Sequence, residues 1–388
     1  HNRKHSFPTR RSSDLADVAI VGAGIAGASA AAHLAPHASV LLLEAEERPG
    51  YHSTGRSAAL FSKTYGPAPI RALSRASEAF FDAPPEGFAA HPLLTPRGVI
   101  FAAGEGPGQA EAAAALAAEL GEAVTRIPPD RAVALCPLLR REALTDAYWD
   151  DASRDIDVDA LHQGFLRLAR ARGAELLTRA PLEAAAREGG AWRLTTPAGE
   201  IRARVLVNAA GAWADPVAER AGVRSAGVTP KRRTALIVDA PEGVDVAASR
   251  MAVGVAEDWY VKPEAGKVLI SPADETPTPP CDAAPEELDV ALAVDRAERH
   301  TILQVRRIER RWAGLRSFAR DKRPVMGFDP EAEGFFWLAG QGGYGIQTAP
   351  AAGRTAAALI LGRGVPEDVL AQGLDPAEID PARLRVPA

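Results

Sequence analysis

Three glycines and an acid carry the plainest chemical signal in this chain of 388 residues. In "GAGIAG", Gly22, Ala23, Gly24, Ile25, Ala26 and Gly27 have GxGxxG spacing, and Glu44 follows 22 residues after the first glycine. Such a set holds a dinucleotide. Gly22 permits the tight turn, Gly24 lets a pyrophosphate approach the backbone, and Gly27 lets a helix pack closely on a strand. The start of that helix presents free amides to the phosphates, while Glu44, with Ala45 beside it, takes the ribose hydroxyl pair.

The fingerprint counts only if the right elements surround it. "ADVAIV" reads as a short apolar strand, "IAGASAAAHLA" as a buried Ala-rich helix and "ASVLLLE" as a second buried strand ending at Glu44. This is a βαβ unit. The chain then runs into "RPGYHSTGRSAALF" instead of further βα units, which favours FAD over NAD: His52, Ser53, Thr54, Gly55, Arg56, Ser57 and Ala58 offer amides and hydroxyls to the pyrophosphate and flavin. Two later features have the same character. "ARVLVNAAGAW" is a strand running into Gly211 and Trp213, and "GFFWLAGQGGYGIQTAPAAGRTAAALIL" is a strand, a Gly loop and a helix. The start of that helix, with Gly342, Gly345, Ile346, Gln347 and Thr348, suits the electron-rich N1–C2=O edge of a flavin.

The intervening residues have a different pattern. Runs such as "TALIVDA", "DWYVKP" and "KVLISPA" alternate with Pro-rich turns and predict an antiparallel sheet, the kind of wall that covers a flavin. "DIDVDALHQGFLRLARARG" predicts an Asp-capped amphipathic helix in which His162 is structural. The expected class is α/β (α+β overall), with a Rossmann-like FAD-binding domain from 16–88, 151–225 and 321–388. A substrate domain on a large mixed or antiparallel sheet is expected from 89–150 and 226–320.

Composition narrows the function classes. A net charge of −5, with six lysines among the 45 basic residues and no basic block, argues against nucleic acid and tRNA modification. Cys136 and Cys281 form no metal-like spacing, so neither a metal site nor a disulfide framework is expected. No apolar run approaches the ~18 residues of a spanning helix. A reducing cytoplasm is the default location, with peripheral attachment at the inner membrane if a quinone accepts the electrons. Positions 1–15, "HNRKHSFPTRRSSDL", contain the translation of a common sequencing adapter and are read as a non-native leader.

Several runs together resemble one family: "GYHSTGRSAA", "HPLLTPR", "DIDVDALHQGFLR", "VLVNAAGAW", "PKRRTALI", "WAGLRSF" and "QGGYGIQT". From about Asp17 onward the chain resembles the D-amino-acid oxidase superfamily of FAD enzymes, and within it most closely the bacterial D-arginine dehydrogenases. The resemblance implies oxidative deamination of a D-amino acid. Hydride passes from Cα to flavin N5, and the imino acid is hydrolysed to a 2-oxo acid and ammonia. It implies that Arg233 and Arg316 clamp the substrate carboxylate, that Tyr65 and Tyr260 close over it, and that the Gly343 carbonyl faces the amine. Guanidinium forks suit a carboxylate because they bind it bidentately and stay charged. Arg232 and Lys231 are expected to be surface charge.

Departures from the family pattern shape the substrate expectation. Val99 stands where D-arginine dehydrogenase holds a glutamate for the cationic tail, and Leu60 replaces a histidine. With Met251 and Val253, these imply an apolar side-chain pocket and a preference for neutral, apolar D-amino acids over D-Arg; Lys63 leaves an acidic substrate open. Pro181 falls where a backbone N–H would pair with adenine, which proline lacks. Neither cysteine sits in a flavin-contacting motif, so FAD is expected to be held non-covalently. The alternatives are a glycine or sarcosine-type amine oxidase of the same superfamily, or a flavin-domain protein that modifies tRNA or only binds. The acceptor, oxygen or quinone, and the oligomeric state are left open.

Overall fold

The computed structural model describes residues 15–385. Apart from Leu15, the expected leader lies outside the described residues; Leu15 opens the first strand and pairs with Arg202.

Two large sheets carry the fold. In the first, parallel strands lie in the order Glu175–Leu177, Val40–Leu43, Leu15–Val21, Gly199–Asn208 and Phe335–Ala339. Numbered along the chain this is 3-2-1-4-5, the doubly wound order. Val325–Phe328 adds an antiparallel edge, and a hairpin of Ala184–Glu188 and Ala191–Thr196 pairs with the first half of Gly199–Asn208. Parallel strands covered on both faces have no polar side, which is why Val40–Leu43 reads VLLL and is wholly buried. Val18, Ile20 and Leu42 pack towards helices Ile25–Leu34, Val158–Ala171 and Gly345–Ile360. Ala19, Val21, Leu41 and Leu43 pack on the other face, with helix Ala214–Arg220.

Helix Ile25–Leu34 has no solvent face because the sheet and two helices surround it. Small residues are what let these approach. A Cβ at Gly27 would lie 1.9 Å from the Gly22 carbonyl oxygen, and one at Gly353 would lie 2.0 Å from Ser29 Oγ. The neighbouring helix Val158–Ala171 begins on Asp157, whose carboxylate accepts the Ala160 N–H at 2.9 Å.

The second sheet has nine strands and is mixed. Its pairings are antiparallel except for Met251–Gly254 against Val99–Ala103. At one edge, Thr229–Val238 and Ile308–Phe318 form a long ladder that aligns Lys231 with Arg316 and Arg233 with Gly314. Side chains alternate across the sheet. Leu236, Val238, Ile270, Val261, Ala252 and Ile100 enter one core with helix Glu287–His300. Arg233, Ala235, Tyr260, Val253, Met251 and Val99 point the opposite way. A small third sheet, Leu60–Phe61, Arg154–Ile156 and Leu94–Pro96, lies beside both.

Arg232 corrects a sequence expectation. It is a buried cation, 5% exposed, held by Asp289 at 3.0 Å and Glu286 at 2.6 Å. Strand alternation sends it to the face opposite Arg233, and its carboxylates come from a helix some fifty residues downstream.

His33, in helix Ile25–Leu34, packs against Phe165 with ring centroids 6.1 Å apart. Burial, helped by the Arg354 and Arg172 charges, lowers its pKa from 6.5 to about 4. The unfolded chain therefore binds a proton that the native chain refuses between these values. The stabilisation is complete above pH 6.5 and is lost as pH falls through 6.5 towards 4. Urea unfolding across that range is expected to lose about 3 kcal/mol through this group, a slope that His33→Leu should remove.

Candidate active site

Two adjoining cavities open on the glycine loops, the second of them against the second sheet, and Ser53 and Thr54 line both. The first is walled by Gly22, Gly24, Glu44, Ala45 and His52, and on its far side by Pro181, Gly211 and Trp213. Gly22 has φ +101°, and a Cβ there would lie 2.4 Å from the Ala209 carbonyl oxygen, so no other residue fits this turn. Glu44 is 9% exposed, and its two oxygens accept the Ala23 and Glu46 amides, each at 3.0 Å. Burial raises its pKa, partly offset by those amides. It thereby fixes the glycine turn while lining the cavity.

Thr54 is a helix cap supplied from a distance, its Oγ1 accepting the Ile25 N–H at 3.0 Å. Ala26 and Gly27 carry first-turn amides that a helix start leaves without intrahelical partners. His162 donates its Nε2–H to the Ala23 carbonyl oxygen at 2.8 Å. Its structural role is to pin the glycine loop from below. His52 packs on Trp213 at 4.4 Å and hydrogen-bonds Glu46 at 2.9 Å.

The second cavity takes its floor from Ile25, Gly342, Gly345 and Ile346, and one side from Ser57 and Ala58. Its far wall is apolar: Leu60, Val99, Phe101, Ala235, Met251 and Val253. Into it point Arg233, Arg316, Tyr65 and Tyr260, beside Gly343. A Cβ at Gly343 would lie 2.8 Å from the Arg316 guanidinium carbon, so any larger residue there would displace that side chain. Gly342, with φ +56°, donates its N–H to the Ser317 carbonyl at 2.8 Å and so ties the glycine loop to the strand carrying Arg316.

The charges around the two arginines do not balance. Among the described residues, Arg316 hydrogen-bonds the Tyr65 phenol and is surrounded by Tyr260 and Tyr344, with no carboxylate in ion-pair range. Arg233 donates from Nε to the Asp274 carbonyl at 2.9 Å and reaches Glu275 at 3.5 Å. Glu275 also serves Lys231 at 3.2 Å and Lys322 at 3.6 Å. Burial works against this carboxyl, yet the three cations hold it below its ordinary pKa. The end of the cavity therefore carries surplus positive charge.

Two proposed site residues have their charges committed elsewhere. Lys63 turns from the cavity to Glu78, at 3.0 Å, because helix Ala68–Asp82 brings that carboxylate beneath it. Arg56 lines the cavity, but its guanidinium is spent on Asp282 and on the Ala283 and Ala313 carbonyls, at 2.9 and 3.1 Å. It joins the loop to the second sheet and leaves no charge for a phosphate. Gly55, whose N–H donates to the Gly50 carbonyl at 2.7 Å, shapes the turn from beneath. Thr348 donates to the Tyr344 carbonyl at 2.9 Å and lies below the floor.

Other residues at the site were not singled out in the sequence. Tyr344 packs edge-on to Tyr65 at 4.9 Å; its position between two glycines of "QGGYGIQT" was the available signal. Burial first, then Tyr65 and Glu257, holds its phenol above its ordinary pKa and protonated. Glu257 sits at a hairpin tip with φ +53°, lines the cavity and feels both Arg233 and Arg316. Nothing in "VAEDW" announces that.

The fit to a flavin dinucleotide rests on unspent donors. The amides of Gly345, Ile346 and Gln347 open helix Gly345–Ile360, and the Gln347 Nε2, 3% exposed, has no hydrogen-bond partner. Its Oε1 is fixed by the Ser62 N–H at 3.0 Å.

A family model described as FAD dependent oxidoreductase matches residues 17–359. Glycine oxidase of Bacillus subtilis (strain 168) is 25% identical over 213 residues, covering 54% of this chain and 55% of that protein. The chain thus spans about half the length of the curated relatives it matches, 50% for hydrogen cyanide synthase subunit HcnC of Pseudomonas aeruginosa, which is 29% identical over 56% of this chain. Among solved structures, glycine oxidase from Geobacillus kaustophilus aligns with TM-score 0.78 at 24% identity, covering 91% of this chain and 99% of that one. The superfamily resemblance holds; the relatives named here are not D-arginine dehydrogenases.

Glu44→Ala removes the acceptor of two loop amides together with the carboxylate expected to take the ribose hydroxyls. It is expected to raise the Kd for FAD roughly 100-fold, measured by fluorescence of flavin released on dilution. Lys63→Ala, which loses only the Glu78 pair, should stay within about twofold of the parent.

Proposed function

The chain belongs to the FAD-dependent oxidoreductase family, and we propose that it oxidatively deaminates D-amino acids with neutral, apolar side chains. The observation that carries this is the Arg316 guanidinium, which enters an apolar-walled cavity without a carboxylate partner. A cation so placed is costly unless a ligand supplies the anion. A substrate carboxylate meets that need, held by Arg316 and Arg233 with the Tyr65 and Tyr260 phenols adding hydrogen bonds.

Anchored there, the substrate presents its side chain to Leu60, Val99, Phe101, Met251 and Val253. No carboxylate stands on that wall to receive a guanidinium tail, and Glu257 at the mouth already lies in the field of both arginines. FAD, when bound, supplies the two-electron acceptor for the hydrogen leaving Cα. The protein orients that bond, sheds water from the apolar end and lets the ammonium lose its proton. The imino acid formed is hydrolysed in water to a 2-oxo acid and ammonia, and oxygen or a quinone takes the electrons onward.

A second reading is a glycine or sarcosine-type oxidase, favoured by the glycine oxidases among its relatives. It would use the same clamp and leave the apolar wall unfilled.

Anaerobic bleaching of the holoprotein by D-Leu, D-Met, D-Arg, D-Glu, glycine and sarcosine separates these. Fastest reduction is expected with D-Leu or D-Met. Fastest reduction by D-Arg would refute the apolar-wall argument, and by glycine or sarcosine would favour the second reading. Arg316→Leu should raise KM for the best substrate roughly 100-fold or more.

A further inference from the structure

We propose that Asp274 is a positioning residue that sets the direction of Arg233 and thereby the affinity of the site for a substrate carboxylate. This rests on the assignment of Arg233 to the carboxylate clamp. Strand Thr229–Val238 pairs along one edge with two separate strands: Lys267–Ser271 at Leu236–Val238 and Thr276–Pro277 at Lys231–Arg232. Between them, at Arg233 and Thr234, the ladder on that edge is interrupted, and this is where the strand must deliver a guanidinium to the cavity.

Asp274 fills the gap. Its Oδ1 accepts the Thr234 N–H at 2.6 Å, where a strand carbonyl would otherwise stand, and its Oδ2 accepts from the Thr234 hydroxyl at 3.1 Å. Its own carbonyl accepts Arg233 Nε at 2.9 Å. One residue thus holds the backbone after Arg233 with its side chain and the guanidinium with its main chain. The turn that brings it there is also fixed: Ala273, at φ +52°, donates its N–H to Ser271 Oγ at 3.1 Å, and that hydroxyl donates to the Thr234 carbonyl at 2.6 Å.

The carboxylate is largely spent on this task. Arg232 Nε lies 4.0 Å from it, beyond hydrogen-bond range, and Arg232 has Asp289 and Glu286 of its own. The Asp274 side chain is 7% exposed. A group held so rigidly behind a ligand-binding side chain removes the freedom that an arginine would otherwise lose on binding.

The test is calorimetric titration of the holoprotein with 4-methylpentanoate, the leucine skeleton without its amine, which needs the clamp and cannot be oxidised at nitrogen. Asp274→Ala is expected to weaken binding about 10-fold or more, and Asp274→Asn, which keeps one oxygen acceptor, to stay within about threefold. Arg233→Ala should weaken binding as well, and the Asp274→Ala/Arg233→Ala pair should be no weaker than Arg233→Ala alone, because the two act as one unit. Unchanged binding in Asp274→Ala, or an additive loss in the double variant, overturns the proposal. If Asp274→Ala does not fold, Ser271→Ala loosens the same turn; a loss of about threefold is then expected, and parental binding would overturn the idea. Parental protein that binds 4-methylpentanoate but is bleached by no amino acid would remove the proposed function while leaving this inference standing. Parental protein that fails to bind it removes the clamp and the inference with it.

Discussion

An arginine cannot be placed in an apolar cavity without being surrounded by something, and the surroundings of Arg316 organise the site. The Tyr65 phenol hydrogen-bonds the guanidinium, with Tyr260 and Tyr344 around it, and under the proposed function its charge meets a substrate carboxylate. That arrangement demands close approach from several directions. The Arg316 guanidinium lies where a Cβ on Gly343 would stand, and the Gly342 N–H bonds to the Ser317 carbonyl, tying the loop to the strand. The long ladder of Thr229–Val238 on Ile308–Phe318 brings Arg233 to the same face. Fully compensating Arg316 with a protein carboxylate would stabilise the empty fold and abolish the site's demand for an anion.

The same loop that serves the cofactor also joins the two sheets. Ser53 donates to the Leu315 carbonyl at 2.6 Å, Trp312 Nε1 donates to the Arg56 carbonyl at 3.0 Å, and the Arg56 side chain reaches Asp282. The first two fall on Leu315 and Trp312, in the strand that carries Arg316. A dinucleotide seated on the glycine turns would therefore be tied in register to the strand carrying Arg316. Distance between cofactor and substrate is a property of this seam, more than of either sheet alone.

Much of this was legible because it depends on local periodicity. The βαβ unit around Gly22, with Glu44 at its end, shows its physical reasons within thirty residues: a turn, a close approach and an unbroken apolar strand. The alternation in "TALIVDA" and "KVLISPA" gave the second sheet. Charges were another matter. Lys63, Arg56 and Arg232 looked interchangeable with other basic residues, since their partners Glu78, Asp282 and Asp289 arrive only through tertiary folding. Glu257 was invisible for a related reason: its left-handed turn places it at the cavity, and the five residues around it spell an ordinary hairpin tip.

The uneven legibility follows from how the work is divided. A cofactor as large as FAD is recognised mainly by backbone, so its site needs glycines and small residues at fixed spacing, and such patterns survive in one dimension. A small substrate is recognised by a few side chains drawn from strands far apart in the chain. Under the proposed function its carboxylate end is constrained by charge, and hence by Arg233 and Arg316. Its side-chain end is constrained only by volume, shared among Leu60, Val99, Phe101, Met251 and Val253. Any one of these can change with little penalty to the fold, because each is a modest apolar contact on a wall that the sheet holds in place. Under the proposed function, chemistry is therefore set at one end of the cavity, while the other end leaves the choice of side chain to volume alone.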